Sequence, residues 1–175
     1  MDLLGDLIET FEGKGSIPLA KVHEWLNAED IEVCGAAYAY FERLDCVERI
    51  EPRLTHDEFD VFVLRYLQRC IVEGGHHDWA HSRYEAAWAL ASWFTLTFSK
   101  DARNDRLKEL RLWLERTYLD RADLRSVIIN GFLEHVVSHR GMAEFFKGWR
   151  CNTELAAALR RAKEWQASSG NSPLG

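Results

Sequence analysis

The sequence predicts an all-α fold, and three observations favour it. Apolar residues recur at helical spacing in most segments, and no segment shows the strict alternation of a half-buried strand. Only three prolines occur, and none interrupts a strongly periodic segment. Residues 86–99 contain no charged side chain, although 29% of the chain is charged. We therefore expect an irregular helical bundle or a short HEAT-like array of antiparallel helix hairpins.

The length and composition predict one globular domain. The chain has 175 residues, of which 47% are hydrophobic, including seven Trp and nine Phe. A chain of this size can bury a substantial core. The last residues are small and polar, which is typical of a disordered terminus. We expect a single helical domain over residues 1–167 and a disordered tail over 168–175.

Local start and stop signals divide the chain into helices. Thr55 followed by Glu58 is a capping box, and Ser82 followed by Glu85 is a second one. A glycine-rich break separates the first two helices, and Pro18 is acceptable in a first helical turn. Helices are predicted over residues 3–12, 18–27, 29–48, 55–73, 84–98, 103–119, 123–139 and 153–166, with a short segment between the last two.

The uncharged stretch predicts the most buried helix of the protein. Its apolar residues form one stripe at helical spacing, and further apolar residues cover the opposite side. A helix that is apolar all round is usually buried on all sides. Trp88 is therefore expected in the core, where its replacement by alanine would cost about 3–5 kcal/mol. The stripe is Tyr84, Ala87, Trp88, Ala91, Phe94 and Phe98, and the opposite side carries Leu90, Trp93 and Leu96.

The cysteines predict buried free thiols. None of the four forms a C-x-x-C pair, and each lies in or beside an apolar helical stretch. Free cysteines behave as small hydrophobic residues and are commonly buried. They are Cys34, Cys46, Cys70 and Cys151.

Charge is distributed unevenly along the chain, and this distribution limits the classes of partner that we expect. Residues 1–99 hold 8 Lys+Arg against 18 Asp+Glu, a net charge of −10, whereas residues 100–175 hold 14 against 10, a net charge of +4. A phosphate backbone would be repelled by most of such a surface, so nucleic acid is not expected as the ligand. The N-terminus has no basic segment before an apolar one, and no apolar run is long enough to span a bilayer. We expect a cytoplasmic protein without a membrane partner.

No motif for catalysis is present. The chain lacks G-x-S-x-G, a complete phosphate-binding glycine loop and H-E-x-x-H. Two histidine pairs are spaced four residues apart, a spacing that can hold one metal ion on a helix. No complete ligand signature accompanies them, so we expect no catalytic residue, no cofactor and no metal, and the role of these histidines stays open. They are His76, His77, His81, His135 and His139.

The remaining candidate site is a surface for a protein partner. Acidic residues cluster near two predicted helix starts, where the helix dipole alone could account for them. One tryptophan lies in a loop beside two histidines and an aspartate, and it could anchor an interface or pack on a neighbouring helix. The candidate contacts are Glu29, Asp30, Glu32, Asp57, Glu58, Asp60 and Trp79.

The general character of the chain resembles a known class. The stretch from His81 to Trp88 is similar to uncharacterised bacterial helical families, some of them HEAT-like. A small, acidic, all-helical chain without a catalytic motif resembles bacterial immunity proteins. That resemblance implies a protein that binds and neutralises a toxin, for example a basic nuclease domain. The alternatives are a helical scaffold, an adaptor or homodimer, and a metal-dependent enzyme.

Overall fold

Helices account for about 75% of the residues that the structure describes, which confirms the predicted all-α class. The computed structural model describes residues 2–75 and 78–169. The chain divides into two compact units, residues 1–83 and 84–175, called here the N-terminal and C-terminal units. The prediction of a single domain concerns independent folding, which this division does not test, so it stays a prediction.

The N-terminal unit is built from five α-helices and one pair of very short strands. Strands β1 (Ile17–Pro18) and β2 (Ile50–Glu51) pair in parallel, with Ile17 opposite Ile50. They are too short to show an alternating pattern, so the sequence did not predict them. The helices are α1 (Leu3–Glu12), α2 (Leu19–Leu26), α3 (Ile31–Phe41), α4 (Leu44–Val47) and α5 (His56–Glu73).

Capping residues explain where these helices begin and end. The Thr55 hydroxyl accepts a hydrogen bond from the Glu58 N–H at 3.2 Å, and the Glu58 carboxylate accepts one from the Thr55 N–H at 2.9 Å. This confirms the predicted capping box at the start of α5. The helix predicted over 29–48 is instead divided into α3 and α4. The Arg43 N–H bonds to the Tyr40 carbonyl, three residues back, and this tighter turn ends α3.

Aromatic rings form the core of the N-terminal unit. Phe11 of α1 stacks on Tyr40 of α3 at a centroid distance of 4.7 Å, and it lies 5.4 Å from the ring of Trp25 in α2. All three side chains are buried. Offset and tilted aromatic pairs of this kind stabilise a core beyond the area they bury. The cluster therefore joins α1, α2 and α3.

The C-terminal unit begins within the first turn of α6 and contains several short or irregular helices. The α-helices are α6 (Arg83–Lys100), α7 (Asp105–Asp120), α8 (Glu134–Val136), α9 (Met142–Phe145) and α10 (Thr153–Ser169). Two 3-10 helices lie at Ala122–Leu124 and Lys147–Cys151. Helix α10 extends two residues into the predicted tail, and residues 170–175 lie outside the described residues.

Helix α6 is not buried on all sides, and that prediction is wrong. Trp88 is 49% exposed and Leu96 is 57% exposed. The buried side is mostly alanine, which permits a close approach: a Cβ added at Gly131 would lie 2.6 Å from the Cβ of Ala87. Leu90 and Phe94 are buried as well, but Trp88 and Leu96 face outward among serines and threonines, so the absence of charge did not indicate burial on all sides. Within residues 2–75 and 78–169, every helix, α6 included, is too short or too polar to span a bilayer.

The predicted α-helix over 123–139 is irregular. Residues Val127–Leu133 form a π-helix, and the Glu134 N–H bonds to the Ile129 carbonyl five residues back. Six of the seven π-helical residues are buried. A periodic apolar pattern does not distinguish an α-helix from a π-helix, because both bury one side.

Three cysteines are buried and free, as predicted, but Cys151 is exposed. Cys151 ends a 3-10 helix just before Asn152, whose side chain accepts from the first N–H groups of α10. This position at a helix start lies on the surface. Burial raises the pKa of Cys70 to about 11, and it raises the pKa of Cys34 as well. The buried thiols are therefore protonated and unreactive at neutral pH.

Candidate protein-binding face

Helices α2 and α5 both pack on α3, and their side chains enclose a shallow groove. The His23 Nε2 lies 3.6 Å from a carboxylate oxygen of Glu58, and the Arg65 guanidinium donates to the Asn27 side-chain oxygen at 2.8 Å. Glu58 and Arg65 are seven residues apart and share one face of α5. The groove has a volume of about 200 Å³. We call it the α2–α5 groove, and its lining residues are His23, Leu26, Asn27, Asp57, Glu58, Val61, Phe62 and Arg65.

The groove combines an apolar floor with a charged rim. Leu26 and Phe62 are 7% and 5% exposed and form the floor, whereas Val61 is 49% exposed and offers an apolar side chain to solvent. Asp57 and Glu58 stand at one end of the groove. Hydrogen bonds from the Thr55 hydroxyl and N–H hold the pKa of Glu58 below its usual value, so this carboxylate stays ionised. An apolar centre with a polar rim is the usual anatomy of a protein interface.

The structure separates the acidic candidate residues into two groups. Asp57 and Glu58 line the groove at the start of α5, whereas the carbonyl of Glu29 accepts from Arg69 at 2.6 Å near the other end of that helix. At 1.5 Å per residue, the eleven residues from Glu58 to Arg69 span about 16 Å. Arg65 lies between them. The acidic residues therefore do not form one continuous patch.

Asp60 belongs to neither group. Its carboxylate lies 3.8 Å from the His56 Nε2, and its side chain is only 17% exposed. Asp60 is two positions after Glu58, which places the two side chains on different sides of α5. Asp60 therefore offers little surface to a partner.

Glu32 and Asp30 hold the local structure together. One oxygen of the Glu32 carboxylate accepts from the N–H groups of Trp79 and Ala80, at 2.9 and 3.2 Å. The Asp30 carboxylate accepts from the Glu32 N–H at 2.9 Å and caps α3. A Cβ added at Gly35 would lie 2.5 Å from the Trp79 carbonyl oxygen, so α3 and this loop are in close contact. Sequence analysis could not detect this, because the Glu32–Trp79 pair is 47 residues apart.

Trp79 is half-buried. Its ring stacks on Tyr40 at a centroid distance of 6.1 Å with 23° between the ring planes. The side chain is therefore in part a packing element of the N-terminal unit. Its role as an interface anchor stays a prediction.

Replacing Glu32 with alanine should lower the free energy of unfolding by about 1–3 kcal/mol, because two backbone N–H groups would lose their acceptor. Glu29→Ala is the matched control, since Glu29 is an exposed glutamate three residues away. That control should stay within about 0.5 kcal/mol of the parent protein. Urea denaturation followed by circular dichroism measures both values. Equal effects of the two variants would show that Glu32 does not hold the loop.

The groove contains residues that sequence analysis missed. His23, Asn27, Val61 and Arg65 come from two helices, and each is an ordinary surface residue when considered alone. The one usable signal was Val61, an apolar residue that follows Asp60 and lies outside the buried set of α5. Their juxtaposition depends on how α2 and α5 both pack on α3, which no local pattern encodes.

The histidines do not come together as a metal site in the part of the chain that the structure describes. The His81 Nδ1 lies 2.9 Å from the Tyr66 hydroxyl, and the same oxygen accepts from the His81 N–H at 3.1 Å. His135 and His139 are exposed, in the C-terminal unit. His76 and His77 lie outside the described residues. No group of three or more His, Cys, Asp or Glu side chains among residues 2–75 and 78–169 could hold a metal ion.

Comparison of the chain with protein-family models, with curated proteins and with solved structures gives no match. The resemblance to bacterial immunity proteins therefore rests on the general character of the sequence. The function of the α2–α5 groove has to follow from its chemistry. The described residues that line the groove are apolar, charged or amide side chains, which can contact a partner through both apolar and polar groups.

Proposed function

We propose that this protein is a non-catalytic binding module that engages another protein through the α2–α5 groove. In its finer form, the proposal is that the chain is a bacterial immunity protein that binds and neutralises a basic toxin domain. The observation that carries it is the groove itself, where exposed Val61 and a buried apolar floor lie beside the carboxylates of Asp57 and Glu58.

The charge of the N-terminal unit supports a basic partner. Residues 1–83 contain 8 Lys+Arg and 17 Asp+Glu, a net charge of −9. Thirteen of these 17 acidic residues are exposed. A surface potential of this sign accelerates encounters with a positively charged protein and slows encounters with a negatively charged one. An inhibitor that works by covering a toxin needs no chemistry beyond such contacts.

The opposite charge of the C-terminal unit favours a second candidate. Residues 84–175 carry 14 Lys+Arg against 11 Asp+Glu, a net charge of +3. Two copies could therefore associate through oppositely charged units, as a homodimer or scaffold. Sedimentation equilibrium at low and high salt distinguishes the candidates, because only the homodimer gains mass at low salt without another protein.

The proposed function predicts that a gene beside the one for this chain encodes a basic effector domain, and the test uses that domain. If electrostatic steering operates, the association rate constant should fall at least tenfold as NaCl rises from 50 to 500 mM. In addition, Val61→Asp should weaken binding tenfold or more, because it places a charge against the apolar centre of the interface. Biolayer interferometry gives both the rate constant and the affinity.

The control for this test is Leu112→Asp. Leu112 is 50% exposed, as Val61 is at 49%, but it lies on α7 in the C-terminal unit. It should leave the affinity unchanged. Asp30 and Glu32 are unsuitable for charge reversal, because they hold α3 and its neighbouring loop. If the association rate does not depend on salt and Val61→Asp and Leu112→Asp bind with equal affinity, the groove is not the binding site.

A further inference from the structure

A cavity in the C-terminal unit has the chemistry of a small-molecule site. It lies between α9, the 3-10 helix at Lys147–Cys151, and α10, and its volume is about 330 Å³. Met142 and Phe146 line it and are each 1% exposed. Leu159 of α10 adds a further apolar wall. We call it the α9–α10 cavity. Ligand sites usually begin at about 300 Å³ and are mostly apolar, so its size and its lining suit a small ligand.

Cationic side chains surround the apolar interior. Arg150, Arg160 and Lys163 all line the cavity and are exposed. Arg160 and Lys163 are three residues apart, so they share one face of α10. The Arg150 guanidinium donates to the carbonyl of Ala143, another lining residue, at 3.4 Å. The three cations therefore lie around the same cavity.

The charge of the lining is unbalanced. Glu164 is its one carboxylate, and it interacts with another group of the chain. Three cations thus face one acid around the cavity. An anionic group would therefore be attracted here more strongly than a neutral head group, and a cationic one would be repelled by the excess positive charge.

We propose that the α9–α10 cavity binds a free medium-chain fatty acid, with its alkyl chain among Met142, Phe146 and Leu159 and its carboxylate beside Arg160 and Lys163. The apolar interior disfavours a wholly polar anion such as phosphate, because it offers no partner for that anion's oxygens. A water molecule takes roughly 30 Å³ in the liquid. If each non-hydrogen atom of a ligand takes the same volume, the cavity of about 330 Å³ holds about eleven of them. Decanoate, with its carboxylate at the opening, fits this volume. The site lies outside the α2–α5 groove and does not rest on the proposed function.

The two methionines of the chain permit a direct test. They are Met1 and Met142, so a protein labelled with ¹³C at the methionine methyl groups gives two signals. Titration with sodium decanoate should shift the Met142 signal and leave the Met1 signal in place. Isothermal titration calorimetry should show affinity rising about fourfold for each methylene from octanoate to decanoate. Decanol and decyltrimethylammonium should bind at least tenfold more weakly than decanoate.

Variants of α10 test the head-group contacts. The double variant Arg160→Gln/Lys163→Gln should weaken decanoate binding at least tenfold. Arg161→Gln is the matched control on the same helix, because Arg161 is exposed and does not line the cavity; it should bind decanoate as the parent does. A Met142 signal that does not move, equal affinity for decanol and decanoate, or equal affinity of the double variant and the parent would each overturn the proposal.

Discussion

Replacement of Trp149 with alanine should lower the free energy of unfolding by about 3–5 kcal/mol, the cost of removing a large buried aromatic side chain and leaving a cavity. Trp149 is 1% exposed, and its ring lies 5.1 Å from that of Phe146 in an edge-to-face arrangement. Phe146 in turn lies 6.1 Å from Phe94 of α6. The alanine variant therefore loses packing that connects the 3-10 helix to the centre of the C-terminal unit. Urea denaturation followed by circular dichroism gives the change from the shift of the midpoint.

Trp88→Ala is the matched control for this measurement. Trp88 lies in the same unit but is 49% exposed, with one edge against the ring of His135 at 6.2 Å. Its replacement should cost about 1 kcal/mol or less, since a half-exposed side chain leaves no closed cavity. The uncharged sequence around Trp88 had instead predicted a cost of about 3–5 kcal/mol for this replacement. A cost for Trp88→Ala that equals the cost for Trp149→Ala would contradict the burial described for both residues.

Gly35→Ala should lower the free energy of unfolding by about 1–3 kcal/mol, although alanine normally stabilises a helix relative to glycine. The added Cβ would lie 2.5 Å from the Trp79 carbonyl oxygen and 2.8 Å from the Ala80 nitrogen. Both are backbone atoms, so neither can rotate away as a flexible side chain could. The clash can be relieved only if α3 moves away from the loop. That movement would also weaken the hydrogen bonds from the loop N–H groups to Glu32. Thermal and urea denaturation both measure the loss.

The comparison for Gly35→Ala is Gly15→Ala in the same unit. No atom lies within 4 Å of a Cβ built at Gly15, and its φ is not positive. The change there should stay within about 0.5 kcal/mol. If Gly35→Ala proved as stable as Gly15→Ala, the close approach of α3 to the loop would be excluded.

The sequence correctly predicted helix ends that are set by local capping residues and glycines. The capping box of Thr55 and Glu58 defined the start of α5, and Gly74 its end. Helix α6 shows the limit of this reasoning, because a run without charges can face solvent when serine, threonine and one large aromatic residue occupy its outer side. Burial depends on what packs against a helix, and the buried side of α6 combines small residues such as Ala87 with Leu90 and Phe94.

The candidate sites are formed by pairs of residues that lie far apart in the sequence. Composition identified the acidic residues, but it could not indicate that Glu58 lies beside His23, or that Glu32 bonds to the loop at Trp79. The α9–α10 cavity was missed for a related reason. Its walls come from two short segments and the last helix, where Arg160 and Lys163 resemble ordinary charged residues of a solvated surface.

The π-helix at Val127–Leu133 determines the direction in which every later side chain of that segment points. Hydrogen bonds to the fifth residue back accommodate one residue more per ring than an α-helix does. In an α-helix, each residue turns the chain by about 100°. A deletion of one residue that converts this π-helix to α-helical bonding would therefore leave Val137 on the same side of the helix, beside the α9–α10 cavity that it lines. A deletion in a neighbouring α-helical turn has no extra residue to absorb it and would rotate Val137 by about 100°. The π-helix is therefore the part of this segment that accommodates a change in length.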